Sequence, residues 1–225
     1  MTLGAPRVHR RTTGSTNEDA RALALAGAPH GTLVTAAQQT AGRGRDGRRW
    51  EAPAGSALLC SLVLRDPPVL LSLRAGVAVA DTIGELAQLK WPNDVLLAGR
   101  KVAGILVEAR PRERWAVLGI GVNVAVDVAD LPPELHESAG TLGLAGGAIA
   151  PLLERLLVAL ERRLDEDRAA LLAAWRARDG LLGQRVAWSG GAGIAGGIDE
   201  EGRLLVEDGS AVQRLDAGEV HLLGS

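Results

Sequence analysis

Gly42-Arg43-Gly44-Arg45-Asp46-Gly47 decides which large class of folds this chain cannot adopt. The segment fits G-x-G-x-x-G letter for letter, and an acidic residue, Asp66, follows about 20 positions on, as in a dinucleotide-binding unit. That unit needs its last glycine to open a helix whose N-terminus faces the pyrophosphate. Here the loop runs into RRWEAPAG, where Pro53 and Gly55 forbid a good helix. A kinase glycine loop fails as well, because no H-R-D or D-F-G follows. The segment therefore reads as an arginine-bearing loop between strands, spanning residues 41–55.

Around that loop the apolar pattern alternates between helix and strand. Residues 15–27 read as a helix capped by Ser15, with Glu18 at the capping-box position and Gly27 as its stop. Residues 32–38 and 56–65 read as strands, and 69–89 carry a helical pattern. DVLLAGRKVAGILVEAR (94–110) reads as two strands about a turn at Gly99, and 114–126 as a further strand. Leucines at 152, 153, 156, 157, 160 and 164 make 151–164 an amphipathic helix, and a shorter helix covers about 168–178. From Gln184 onward short apolar runs are broken by turn residues, with EEG at 200–202 and EDG at 207–209. The pattern predicts an α+β domain over residues 1–182 and a small β-barrel over 183–225.

Composition limits the function classes. A net charge of −2 gives no electrostatic reason for bulk nucleic-acid binding, and four loop arginines without Phe or Tyr to stack bases make a poor single-strand binder. No helix-turn-helix fits before residue 15, so no DNA contact is expected. No apolar run reaches membrane-span length and the N-terminus carries no signal-peptide pattern, so the expected location is the cytoplasm. Cys60 lies in an apolar strand and reads as a core residue. His9, His30, His136 and His221 lack ligand spacing, so no structural metal is expected.

The basic residues point to chemistry. Of 25, only Lys90 and Lys101 are lysine, and both fall in KWPNDVLLAGRK. A hairpin would bring Lys101 back beside Asn93 and Asp94, where Asp94 could orient the lysine or help hold a magnesium ion. An ordinary surface Asp–Lys pair is the bland alternative. Arg43, Arg45, Arg48 and Arg49 set four charges around three glycines, suited to phosphate or carboxylate, and their repulsion predicts a loop that is mobile when empty. A solvated surface loop is its alternative. In GIGVNV, Gly119 and Gly121 sit inside a strand, which signals a close approach or a bulge, and Asn123 adds an amide to the same space.

Ser15-Thr16-Asn17, QQTAGRGRDGRRW (38–50), KWPNDVLLAGRKVAGILVE (90–108) and GIGVNV (119–124) occur in the order and spacing of the biotin protein ligase family. The resemblance is strong over 15–124, and GIDEEGRLLVEDG with GEV at 218–220 matches the family's C-terminal barrel more loosely. It implies an α+β fold: a mixed β-sheet flanked by helices, of the class II aminoacyl-tRNA synthetase and biotin ligase type, followed by a small SH3-like β-barrel. It implies an enzyme that forms biotinyl-AMP from biotin and ATP with Mg2+, releases pyrophosphate, and moves biotin to a lysine of a carrier protein. The usual partner is the biotin carboxyl carrier domain of acetyl-CoA carboxylase; a homodimer is left open.

The same resemblance assigns roles. Ser15, Thr16, Asn17 and Gln39 match the ureido end and wall of the biotin pocket, with Gly42 and Gly104 beside it. Arg43, Gly44 and Arg45 match the loop that closes over biotin and the intermediate. Lys101 matches the lysine that reaches the biotin carboxylate and α-phosphate. Asn93, Asp94 and Asn123 match residues near the nucleotide phosphates, and Arg48 and Trp50 match positions at the phosphates and adenine. Lys101, Arg43, Arg45 and Asp94 are thus the expected catalytic groups, with Asp94 a candidate to help deprotonate the carrier lysine. Asp46 departs from the family, which often has a basic or neutral residue there. A lipoate or octanoate ligase is the nearest alternative, but the polar 15–17 segment and Gln39 suit an apolar tunnel poorly. A biotin-sensing repressor without catalysis is the other.

Overall fold

The structure is a computed structural model that describes residues 3–209, 211–216 and 218–223. Seven strands make the main sheet: β1 (Arg7–Arg10), β2 (Leu33–Ala36), β3 (Ala57–Arg65), β4 (Gln88–Lys90), β5 (Asp94–Leu97), β6 (Arg100–Arg110) and β7 (Trp115–Asn123). Their order is β1-β2-β3-β7-β6-β5-β4. β1 and β2 run parallel, while the other neighbours pair antiparallel, so the sheet is mixed as expected.

Helices cover both faces. On β3, Leu58, Cys60, Leu62 and Leu64 enter the main core with helices α2 (Leu71–Ile83), α3 (Ile149–Asp165) and α4 (Arg168–Arg176). On the other face, Val34, Val63 and Val117 pack with Ala20 and Ala24 of α1 (Thr16–Leu25). Both faces being covered explains why β3 reads as a continuous apolar run with Ser61 as its one interior polar residue. The amphipathic helix falls where its leucines put it, burying Leu152, Leu153, Leu156, Leu157 and Leu160.

Three local expectations are corrected. The helical pattern of 69–89 is a helix only to Ile83, because Gly84 adopts φ +130, and the chain then turns into β4. Ser15 makes no side-chain cap bond, since it is buried in the cavity wall described below, and Glu18 lies 3.8 Å from Arg43 instead. β1 was not expected, because RVHR has no apolar run; it is a largely exposed edge strand held by parallel pairing to β2. The turn at Gly99 is as expected: Ala98 and Gly99 both have positive φ, the signature of a tight hairpin.

The C-terminal region folds as a second antiparallel sheet of β8 (Arg185–Trp188), β9 (Gly191–Ile198), β10 (Leu204–Glu207), β11 (Val212–Leu215) and β12 (His221–Leu222), in the order β11-β10-β9-β8-β12. The expected barrel is not closed: β12 is two residues long, pairs with β8, and meets no β11 partner among the described residues. Gly202 (φ +76) and Gly209 (φ +90) make the two expected turns, the second running into residue 210, which lies outside the described residues. Val186, Ala195, Ile198, Leu204, Val206 and Val220 join the main core, and Trp91 Nε1 donates to Gly202 O at 3.0 Å. This contact fixes the second sheet against the segment that leads into β5.

Candidate active site

A cavity of about 530 Å³ opens between the N-terminus of α1, the 43–51 loop, the β5–β6 hairpin, β7 and the segment 131–139. Ser15, Thr16, Asn17, Gln39, Arg43, Gly44, Arg45, Arg48, Trp50, Asn93, Asp94, Lys101, Gly104 and Asn123 all line it. Gly42 does not; it lines a shallower neighbouring depression with Gln39 and Trp50, and its carbonyl accepts the Trp50 N–H at 3.0 Å. Gly42 is a structural glycine: a Cβ there would stand 2.4 Å from Trp50 O.

At one end the polar groups are fixed by each other. Gln39 Oε1 accepts from Thr16 N at 2.7 Å and from Thr16 Oγ1 at 2.9 Å. Ser61 Oγ lies 2.6 Å from Asn17 Oδ1 and 2.8 Å from Thr16 Oγ1, and Asn17 Nδ2 donates to Glu108 Oε2 at 2.8 Å. Gly119 is what lets Asn17 sit there, since a Cβ would come 2.0 Å from Asn17 Oδ1. Gly121 and Gly104 do the same for the Trp50 ring, with Cβ positions 2.6 and 3.0 Å from it. The glycines of GIGVNV therefore answer to a close approach by side chains, and β7 pairs with β3 and β6 in unbroken register through them.

The lysine segment folds as the hairpin predicts. Asp94 faces Gly104 across the β5–β6 ladder, and Lys101 faces Leu96 after a register shift between Val95 and Leu96. Lys101 Nζ stands 2.7 Å from Asp94 Oδ1 and 5.8 Å from the centroid of Trp50. This is an ion pair without hydrogen-bond alignment, because Asp94 Oδ1 is buried yet accepts no hydrogen bond. Gly104 makes room for the stem: a Cβ there would lie 3.2 Å from Lys101 Cε.

Each loop arginine has its own partner. Arg43 lies 3.2 Å from Glu108 and 3.8 Å from Glu18, and Arg45 donates to Asn93 Oδ1 at 3.1 Å. Arg48 pairs with Glu219 at 2.5 Å, and Arg49 donates to Thr40 O at 2.8 Å. The loop closes on itself through Gly44 N to Arg48 O at 2.7 Å, and Asp46 takes the left-handed φ of +54 at its tip, exposed. The repulsion expected among four arginines is thus offset by acceptors the sequence does not reveal, three of them carboxylates far away in the chain. Asn123 Nδ2 donates to Gly140 O at 2.9 Å, which leaves its buried Oδ1 without a partner.

Several residues of this region escaped sequence reading. Lys90, Glu219, His221 and Leu222 line the cavity, and Glu108 and Ser61 brace it. Ser61 carried a signal, a lone hydroxyl inside an apolar strand; Lys90 carried one in lysine scarcity. Glu219, legible only as part of GEV in the C-terminal match, and His221 gave no sign of a place at the cavity, because their position follows from how the second sheet docks. Cys60 is buried as expected and also touches the cavity; burial pushes its thiol up to about 12, which leaves it neutral and unreactive. Among the described residues no group of three or more His, Cys, Asp and Glu side chains is placed to hold a metal.

A mixed sheet helix-covered on both faces, a small antiparallel sheet docked at the rim, and a cationic cavity between them define an α+β enzyme of class II synthetase and ligase architecture. The chain belongs to the biotin/lipoate A/B protein ligase family, whose model matches residues 8–125. A relative from Mycobacterium tuberculosis named biotin–[acetyl-CoA-carboxylase] ligase is 42% identical, over 92% of this chain and 85% of its own. One of the same name from Paracoccus denitrificans is 38% identical, over 94% of this chain and 98% of its own. The solved biotin protein ligase from Aquifex aeolicus in complex with biotin and ATP is similar with a TM-score of 0.83 at 27% identity, covering 98% of this chain and 100% of that one.

Proposed function

We infer that this chain is a biotin protein ligase, which forms biotinyl-AMP from biotin and ATP and then acylates a lysine on a biotin carboxyl carrier domain. The observation that carries this reading is the meeting of Lys101 with Arg43, Arg45 and Arg48 around one cavity, in a chain whose relatives bear that name. The first step brings two anions together, a carboxylate and a triphosphate, so neutralising their charge is the main catalytic need. Lys101 suits it: a compact ammonium on a flexible stem can follow the charge from carboxylate to α-phosphate. Thr16, Asn17 and Gln39 would take the polar ring of biotin, and Trp50, whose ring lies over Gly104 and Gly121, would pack near the adenine.

The product is a mixed anhydride that water destroys. Arg43 and Arg45 on the loop would shield it, with Arg45 anchored to the β5 side by Asn93. Asn123 Oδ1 is buried without a hydrogen-bond partner, and it and the Asp94 carboxylate, which already faces the Lys101 ammonium, are of the hard oxygen type that magnesium takes. Magnesium bound with the nucleotide would supply further neutralisation of phosphate charge. We place the catalytic unit at residues 1–182 and the C-terminal unit at 183–225, the second sheet beginning with β8 at Arg185. The proposed partner is the carrier domain of an acetyl-CoA carboxylase, and the proposed location is the cytoplasm; no helix among the described residues is long and apolar enough to cross a membrane.

Incubation with ATP, magnesium and labelled biotin, with and without a carrier domain, tests the reading. Label is expected on the carrier; label only on bound nucleotide would make the chain a biotin sensor, and transfer of octanoate in a parallel arm would make it a lipoate-type ligase.

A further inference from the structure

We propose that Lys90 is a binding residue for the pyrophosphate portion of ATP, the part that leaves. The proposal rests on the ligase reading above. Lys90 is one of only two lysines in the chain, and both line the same cavity. It sits at the end of β4, its backbone paired with that of Asp94. Its side chain is half-buried, and among the described residues it makes no ion pair.

The surrounding carboxylates are already taken. Asp94 and Glu219 are the acidic groups that act on Lys90, but Asp94 holds Lys101 at 2.7 Å and Glu219 holds Arg48 at 2.5 Å. Arg45 adds a further cation whose partner, Asn93, is neutral. Lys90, Lys101, Arg45 and Arg48 thus face two carboxylates, leaving two positive charges over at this end of the cavity. Burial holds the Lys90 ammonium below the usual lysine range, and Lys101 and Arg48 press it the same way. A half-buried ammonium with cationic neighbours and no counter-ion of its own is stabilised by an arriving anion.

The reaction supplies that anion. A biotin carboxylate oxygen bonds to the α-phosphorus while the α–β bridging P–O bond breaks, and its electron pair leaves with pyrophosphate. Negative charge therefore builds on the β-phosphate side as the bond opens. Lys101 is committed to the carboxylate and the α-phosphate. Arg45 is tied to Asn93 on the loop side, and Lys90 is the lysine that, without an ion-pair partner among the described residues, can meet the leaving group.

Calorimetric titration of wild type, Lys90→Met and Lys90→Arg with ATP, AMP and pyrophosphate tests the assignment, with thermal melts to verify folding. Lys90→Met should lose about tenfold in affinity for ATP and for pyrophosphate, the scale of one charge-assisted contact. Its affinity for AMP should stay within about twofold of wild type, and Lys90→Arg should regain part of the loss. Equal weakening of ATP and AMP, or unaltered ATP and pyrophosphate binding, would overturn the assignment. A wild-type chain that binds neither ATP nor pyrophosphate would overturn the ligase reading and the proposal with it.

Discussion

Lys101 and Asp94 lie on neighbouring strands of one hairpin, with 2.7 Å between ammonium and carboxylate and no hydrogen-bond alignment between them. The pair keeps the lysine beside the cavity, and an ammonium with three N–H donors still has donors to offer a ligand. Asp94 is thereby the group that positions Lys101, and its proposed help in deprotonating a carrier lysine must compete with that contact. Asp94→Asn should slow adenylate formation by about 10²-fold, the scale of a misplaced catalytic group. The melting temperature should fall only modestly, because asparagine keeps the volume of the half-buried carboxylate and the Lys101 ammonium still reaches solvent. Single-turnover formation of biotinyl-AMP reads the first quantity and a thermal melt the second; an unaltered single-turnover rate would mean that Lys101 needs no partner.

Arg45 ties the loop to Asn93 across the cavity mouth. Arg45→Gly should remove this tie and let biotinyl-AMP escape. The measurement is labelling of free lysine or of a bystander protein in solution, which should rise above wild type. Tight retention of the intermediate by the variant would refute the shielding role.

Gly119 has no room for a methyl group, since its Cβ would fall on Asn17 Oδ1. Gly119→Ala should therefore displace Asn17 and break its bonds to Ser61 and Glu108. A stability loss of about 1–3 kcal/mol is expected by denaturant unfolding. The KM for biotin should rise more than the KM for ATP, and equal changes in both would show that Asn17 does not serve the biotin end.

The Cys60 thiol is neutral at any working pH, because burial holds it at about 12. Iodoacetamide at pH 8 should leave the native protein unmodified, and modification should follow global unfolding in denaturant. Rapid alkylation of the folded chain would show that the cavity floor opens to solvent.

What the sequence reveals depends on range. The 94–110 hairpin was readable because its turn is local: Ala98 and Gly99 set the chain reversal that brings Lys101 back toward Asp94, while the register shift between Val95 and Leu96 has no such local signal. The loop was readable as a cluster of arginines, but the carboxylates that hold them were not. Glu219 lies 171 residues from Arg48, and no local pattern carries such a distance. Gly84 is a helix stop that the continuing apolar pattern masks, because Leu89 beyond it belongs to a strand. GIGVNV announced crowding without saying by what; Asn17 and Trp50 come from elsewhere in the chain. Ser15 looked like a helix cap because caps and polar cavity walls use the same residue type.

Biotin-dependent exchange of labelled pyrophosphate into ATP, compared between wild type and Lys101→Gln at matched folded concentration, measures the meeting of the two anions by itself, without a carrier. The loss of one preorganised charge at the reacting phosphate should lower the exchange by about 10²–10³-fold while the fold persists. Exchange at the wild-type rate in the glutamine variant would remove Lys101 from the chemistry and leave the cationic cavity without its proposed purpose.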